Sequence, residues 1–197
     1  MSRFPARVTP KGYRLGIEID MGTERLKRWG KPFTHRHFVF GNHEARWDKA
    51  LYEGSGALSK WTKPLHEALR LEELGYDWVP YPKHYDFEGF IITHGNSTSK
   101  YAASMELMAY HRPGTSGHVN RPQDFTYAAA ANGDPITWYC TGMMCVNNIG
   151  DVIKDWGRKM PWQQAFGIGE VSDGVLHYQL IRVHHGGFWA NGKFYSV

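Results

Sequence analysis

The spacing of apolar and polar side chains along this chain predicts short strands and helices in mixed order. Asp20 reads as the cap of a short helix over 21–29, closed by Gly30 and the Lys31-Pro32 break. The segment 35–40 reads as a strand that runs into Gly41-Asn42-His43-Glu44. Over 61–74 the apolar positions Leu65, Leu69, Leu71 and Leu74, with Gly75 just beyond, predict a helix with a glycine C-cap. Pro80 and Pro82 require loop. The segment 87–93 reads as a strand ending at His94-Gly95, and Ser97 or Ser99 then opens a helix to about Tyr110. A glycine-bracketed strand or turn follows over 113–119, then short strands over 126–131, 136–140, 164–170 and 175–183. Asn191-Gly192, inside 188–195, is a hairpin signal. Alternating β and α units followed by a run of β predict an α/β fold, a layered β-sandwich flanked by helices rather than a purely parallel sheet. The expected organisation is an extended, basic lead-in over 1–19 and one domain over 20–197.

Composition narrows the class without changing this picture. The 197 residues are 42% hydrophobic and 21% charged, ordinary values for a globular chain and unlike those of a disordered one or a coiled coil. The longest apolar runs, such as Phe90-Ile91-Ile92, are far too short for a membrane span. No apolar stretch follows the charged N-terminus, so no signal peptide is expected. Cys140 and Cys145 are too few to staple a secreted scaffold, which favours a reducing, cytoplasmic setting. The first 36 residues carry 9 Lys and Arg against 3 Asp and Glu, whereas the rest of the chain is slightly acidic. A basic leader of this kind either binds nucleic acid or is a solvated arm, and the second is the commoner case.

The 11 histidines carry more information, because three segments share one design. In Phe40-Gly41-Asn42-His43-Glu44, Ile92-Thr93-His94-Gly95 and Ser116-Gly117-His118-Val119-Asn120, a predicted strand ends beside a glycine and a ligand-type side chain. Glycine permits the tight turn, and strand C-termini are where open α/β sheets place their sites. Imidazole and amide oxygen together suit divalent Mn, Fe, Co, Ni or Zn. Singly each segment is weak. In order, with 52 residues from Asn42 to His94 and 24 from His94 to His118, the set is more specific.

With these motifs the chain resembles the calcineurin-like metallophosphoesterase superfamily, particularly its phage and bacterial members. The resemblance runs from about residue 20 to the C-terminus and includes Glu44-Ala45-Arg46 and His118-Val119-Asn120-Arg121. It implies that Asn42, His94 and His118 hold the second of two metals and that His43 protonates the leaving group or stabilises the transition state. The departures are concentrated. No Asp is followed at two positions by His, no Gly-Asp-x-x-Asp occurs, and Asn120 stands where the family's closing motif has its last His. All the family's exclusive first-metal ligands are therefore missing, which implies one divalent ion (Mn, Fe, Ni or Zn) rather than two. The chain is then either an N-terminally incomplete member or a divergent one.

Other residues invite over-reading. His35 and His37, at i and i+2 on the predicted strand, share a face and more often make a polar pair than a metal site. His184 and His185 are adjacent and would face opposite sides. Cys140 and Cys145 are expected to be buried free thiols rather than half a zinc site. His111, a few residues before Gly117-His118 on a flexible connection, is a lesser candidate for reaching substrate. Glu44 and Arg46 either orient His43 through a salt bridge or contact phosphate.

Three functions fit these residues. One is a metal-dependent phosphoesterase acting on phosphomono- or phosphodiesters. The second is a non-catalytic module that binds nucleic acid or a protein. The third is half of a split enzyme, completed by a partner chain or by self-association through an unpaired strand edge.

Overall fold

The computed structural model describes residues 15–53, 63–128, 133–145, 162–173 and 175–196. It is mixed α/β, and the backbone gathers into two compact units, Met1–His84 and Tyr85–Val197. Among the described residues no helix is long and apolar enough to cross a membrane.

The first unit holds helix α1 (Leu15–Gly30), strand β1 (His37–Val39), helix α2 (Asn42–Glu53), the one-turn helix α3 (Leu65–Ala68) and strand β2 (Asp77–Val79). Helix α1 starts before the predicted 21–29, inside the expected lead-in, so Asp20 is an interior residue and not a cap. An inward stripe explains the extension. Ile19 and Leu26 pack into the core, and between them Thr23, also buried, returns its hydroxyl to the Ile19 carbonyl at 2.9 Å. Glu18 in the first turn and Lys27 and Arg28 in the last complement the helix dipole.

Strands β1 and β2 are parallel, with His37 opposite Asp77 and Val39 opposite Val79, and α2 and α3 lie in the crossover between them. The core joins Leu26, Phe40, Trp47, Leu51, Leu65, Leu69 and Leu71. The helix predicted over 61–74 survives only as α3; Trp61 lies outside the described residues. Leu65 and Leu69 share a helical face, but Leu71, six residues from Leu65, would point about 120° away from it in a continuous helix. Arg70 at φ +57° ends the helix, the Leu71 amide donates to the His66 carbonyl at 3.0 Å, and all three leucines become buried.

The second unit is built on a five-stranded sheet, β3 (His84–Phe87), β4 (Phe90–Thr93), β5 (Gly114–Ser116), β6 (Gln123–Tyr127) and β7 (Ile136–Cys140), in the order β3-β4-β5-β7-β6. β4, β5 and β7 run parallel, and β6 is antiparallel to β7. The strand predicted over 87–93 is interrupted, because Glu88 at φ +48° and Gly89 at φ +91° turn the chain between β3 and β4. Residues 129–131 of the strand predicted over 126–131 lie outside the described residues. Helix α4 (Ala102–Tyr110) links β4 to β5.

Alternation along the strands sorts the two sheet faces. Ile91, Trp138 and Cys140 pack against Ala102, Ala103 and Leu107 of α4. From the opposite face, Phe90, Thr115 and Tyr139 meet Tyr178 of strand β9 (Val175–Arg182). The Phe90 and Tyr139 rings lie 5.2 and 4.6 Å from that of Tyr178, and the Thr115 and Tyr178 hydroxyls are 3.0 Å apart. β9 pairs antiparallel with β8 (Ala165–Ser172), where the Tyr178 ring occupies the space a Cβ at Gly167 would need. β10 (Gly187–Ala190) and β11 (Lys193–Ser196) form the predicted hairpin through Asn191 and Gly192, at φ +49° and +72°.

Candidate functional site

Parallel strands β4 and β5 end side by side, with Thr93 opposite Ser116. His94 directly follows Thr93, and His118 comes two residues after Ser116, so both stand at the C-terminal edge of the sheet. Nε2 of His94 lies 2.9 Å from Nδ1 of His118, with the half-buried rings at 75° to each other. At that distance one nitrogen carries a proton and the other accepts it.

The backbone around the pair is tied down. The Gly117 amide donates to the His94 carbonyl at 3.1 Å, and Arg121 Nη2 donates to the Ser99 carbonyl at 2.8 Å. Gly95, at φ +88°, has no room for a side chain; a Cβ there would lie 2.9 Å from that of Ser116. His118 and Asn120 hold left-handed backbone at φ +50° and +55°. Such geometry costs a residue other than glycine or asparagine roughly 1–2 kcal/mol, a cost that falls on His118. Glu106, in the middle of α4 and only 4% exposed, accepts from the amides of Asn96 and Ser97 at 2.7 and 2.8 Å. Sequence reading missed it; its one signal is a lone carboxylic acid within the helix Ala-Ala-Ser-Met-Glu-Leu-Met-Ala-Tyr.

Beneath the pair, Ser116 Oγ accepts from Trp138 Nε1 at 3.0 Å and lies 3.5 Å from Cys140 Sγ. Burial pushes the Cys140 thiol up to about 11, against an opposing hydrogen bond to Ser116, so it is a neutral thiol at physiological pH. The expectation of two buried thiols holds for Cys140 alone. Cys145, past the end of β7, is exposed, with its sulfur 3.5 Å from that of Met143.

In the first unit, Asn42 and His43 are the first residues of α2, just beyond the C-terminal end of β1, half-buried and exposed respectively. Gly41 is the helix N-cap. Its carbonyl accepts from the Ala45 amide at 3.1 Å, and its own amide donates to Glu44 Oε2 at 2.9 Å, the Glu half of a capping box. Glu44 therefore closes the helix end, a role neither of the two expectations for it anticipated. Arg46 buries Nη1 without a hydrogen-bond partner among the described residues.

Other histidines singled out by the sequence lie in a strand, bends, turns and a helix cap. His35 lies in a bend and only His37 is in β1, so they do not form a same-face pair; His37 Nδ1 lies 3.8 Å from Asp77. His111 at φ +50° is the left-handed C-cap of α4. The amides and carbonyls of His184 and Gly187 exchange bonds of 2.8 and 2.9 Å around a tight turn through His185 and Gly186.

The second unit thus offers two converging imidazoles, a donor set suited to a transition ion. Among the described residues no three His, Cys, Asp or Glu side chains converge to hold one. No family model matches the chain, and no curated protein matches it.

Proposed function

We propose that the chain is a metal-dependent phosphoesterase with a one-ion centre based on His94 and His118. The observation that carries this reading is the 2.9 Å approach of their ring nitrogens at the ends of adjacent parallel strands. The left-handed backbone at His118 and Asn120 and the cross-ties between the two loops support it, because they hold the imidazoles at some conformational cost. The resemblance also implies a metallophosphoesterase-like sandwich; α4 on one face of the five-stranded sheet and β9 on the other are what supports it.

A bound Mn, Fe, Ni or Zn ion would supply Lewis acidity and lower the pKa of water at the phosphorus. His94 and His118 would each contribute a neutral lone pair, which requires the ring that holds the proton between them to carry it on its other nitrogen.

Titration of the purified chain with zinc or cobalt, alongside hydrolysis of bis-(p-nitrophenyl) phosphate, tests this function. One ion per chain and metal-dependent turnover, both lost in His94→Ala and His118→Ala, are expected. Two ions per chain would overturn the one-ion centre, and binding without turnover would leave a metal-binding module.

A second reading rests on β1 and β2. Parallel strands rarely stand as a pair of three residues each. Under this reading a partner chain or a second copy adds strands to them, and light scattering after size exclusion would find a complex instead of a monomer.

A further inference from the structure

The structure assigns Glu106 as the positioning residue of His94, a role that rests on the metal-centre reading. The carboxyl group of Glu106 comes from the middle of α4, behind the sheet, and is buried at 4% exposure. Its Oε1 takes the amide protons of two successive residues, Asn96 at 2.7 Å and Ser97 at 2.8 Å. Successive amides aimed at one oxygen form an anion-binding concavity, and here the protein's own side chain fills it. In the Ser/Thr-rich loop 96–99, Glu106 thus occupies the amides of Asn96 and Ser97 that an anion would otherwise take.

The contact fixes the chain immediately after His94. Gly95, between His94 and the two bonded amides, has its Cα so close that a Cβ would lie 3.2 Å from Oε1 and 2.9 Å from Ser116 Cβ. The chain just after His94 is thus held twice, by Glu106 on the amides of Asn96 and Ser97 and by the Gly117 amide on the His94 carbonyl. Just before it, Thr93 is paired with Ser116 in the sheet, and the ring between these restraints meets His118 at 2.9 Å. Groups behind a ligand that set its orientation commonly govern metal affinity by 10- to 100-fold.

Two conservative variants separate position from charge. Glu106→Gln keeps an oxygen at the same reach but cannot ionise; Glu106→Asp keeps the carboxylate and withdraws it by one methylene. If Glu106 positions His94, the Gln variant binds cobalt within about threefold of the parent, and the Asp variant at least about tenfold more weakly. The His94 and His118 imidazole nitrogen resonances of the metal-free protein should follow the same order. Any result in which the Gln variant binds no better than the Asp variant overturns the assignment, including equal affinity in all three chains. Should the parent bind no cobalt, the metal-centre reading fails by itself. The metal-free resonances then still decide whether Glu106 positions His94, and resonances unmoved in the Asp variant would reject it.

Discussion

The indole N–H of Trp138 donates to the hydroxyl of Ser116 at 3.0 Å, in the strand that delivers His118. Trp138 is fully buried, stacked on Tyr110 and laid over Gly114, where a Cβ would come within 2.5 Å of its ring. Its one polar atom is thereby satisfied at the base of the candidate site. Ser116→Ala should leave that N–H buried and unpaired and cost about 1–3 kcal/mol. A lower urea midpoint at unchanged slope is the expected reading.

At position 118 glycine should be tolerated better than alanine. Both substitutions lose the hydrogen bond to His94, but alanine retains the left-handed backbone at φ +50° whereas glycine adopts it freely. His118→Gly should therefore be more stable than His118→Ala by about 1–2 kcal/mol, while both lose cobalt binding. Thermal melts of the two variants measure the difference.

Glu44 should matter for stability and not for metal. Its carboxylate is engaged by the Gly41 amide at the start of α2. Glu44→Ala should cost about 0.5–2 kcal/mol, within the range of lost helix caps, and Glu44→Gln much less, since Gln also closes a capping box. Cobalt titration should return the same affinity for all three chains.

Thiol chemistry and alkaline stability should follow the burial of Cys140. In the native protein a thiol reagent at pH 8 should label Cys145 at once and Cys140 only after unfolding. Cys140 deprotonates near 9.0 when unfolded but near about 11 when folded. Between those values the native chain holds the extra proton, so stability falls as pH rises. The contribution is full below about pH 9 and is lost through about pH 11, amounting to roughly 2–3 kcal/mol. Burial raises Tyr178 as well, which adds a loss of the same sign above its ordinary range. Denaturant midpoints between pH 8 and 11.5 would show the slope.

What was legible in the sequence was mainly what glycine marks. Gly95 flags a strand end beside a histidine, and Asn191-Gly192 names its own turn, because left-handed backbone restricts residue choice locally. Helix α2 was overlooked although Gly41-x-x-Glu44 and the buried pair Trp47 and Leu51 at i and i+4 announce it. The helix over 61–74 was over-extended because its four leucines satisfy a periodic pattern that the fold meets by breaking the helix at Arg70. Glu106 was illegible for a different reason. A buried carboxylate in an apolar helix has no period, and its partners are backbone amides brought to it only by the turn after His94.

Tyr178 and Gly167 occupy one volume between them. The ring fills the space a side chain at 167 would claim, and its other edges touch Phe90, Thr115 and Tyr139 of the central sheet. Neither position can drift alone. A side chain gained at 167 requires a smaller residue at 178, which would in turn uncover the sheet face behind it, so relatives of this chain should preserve the two together or exchange them together.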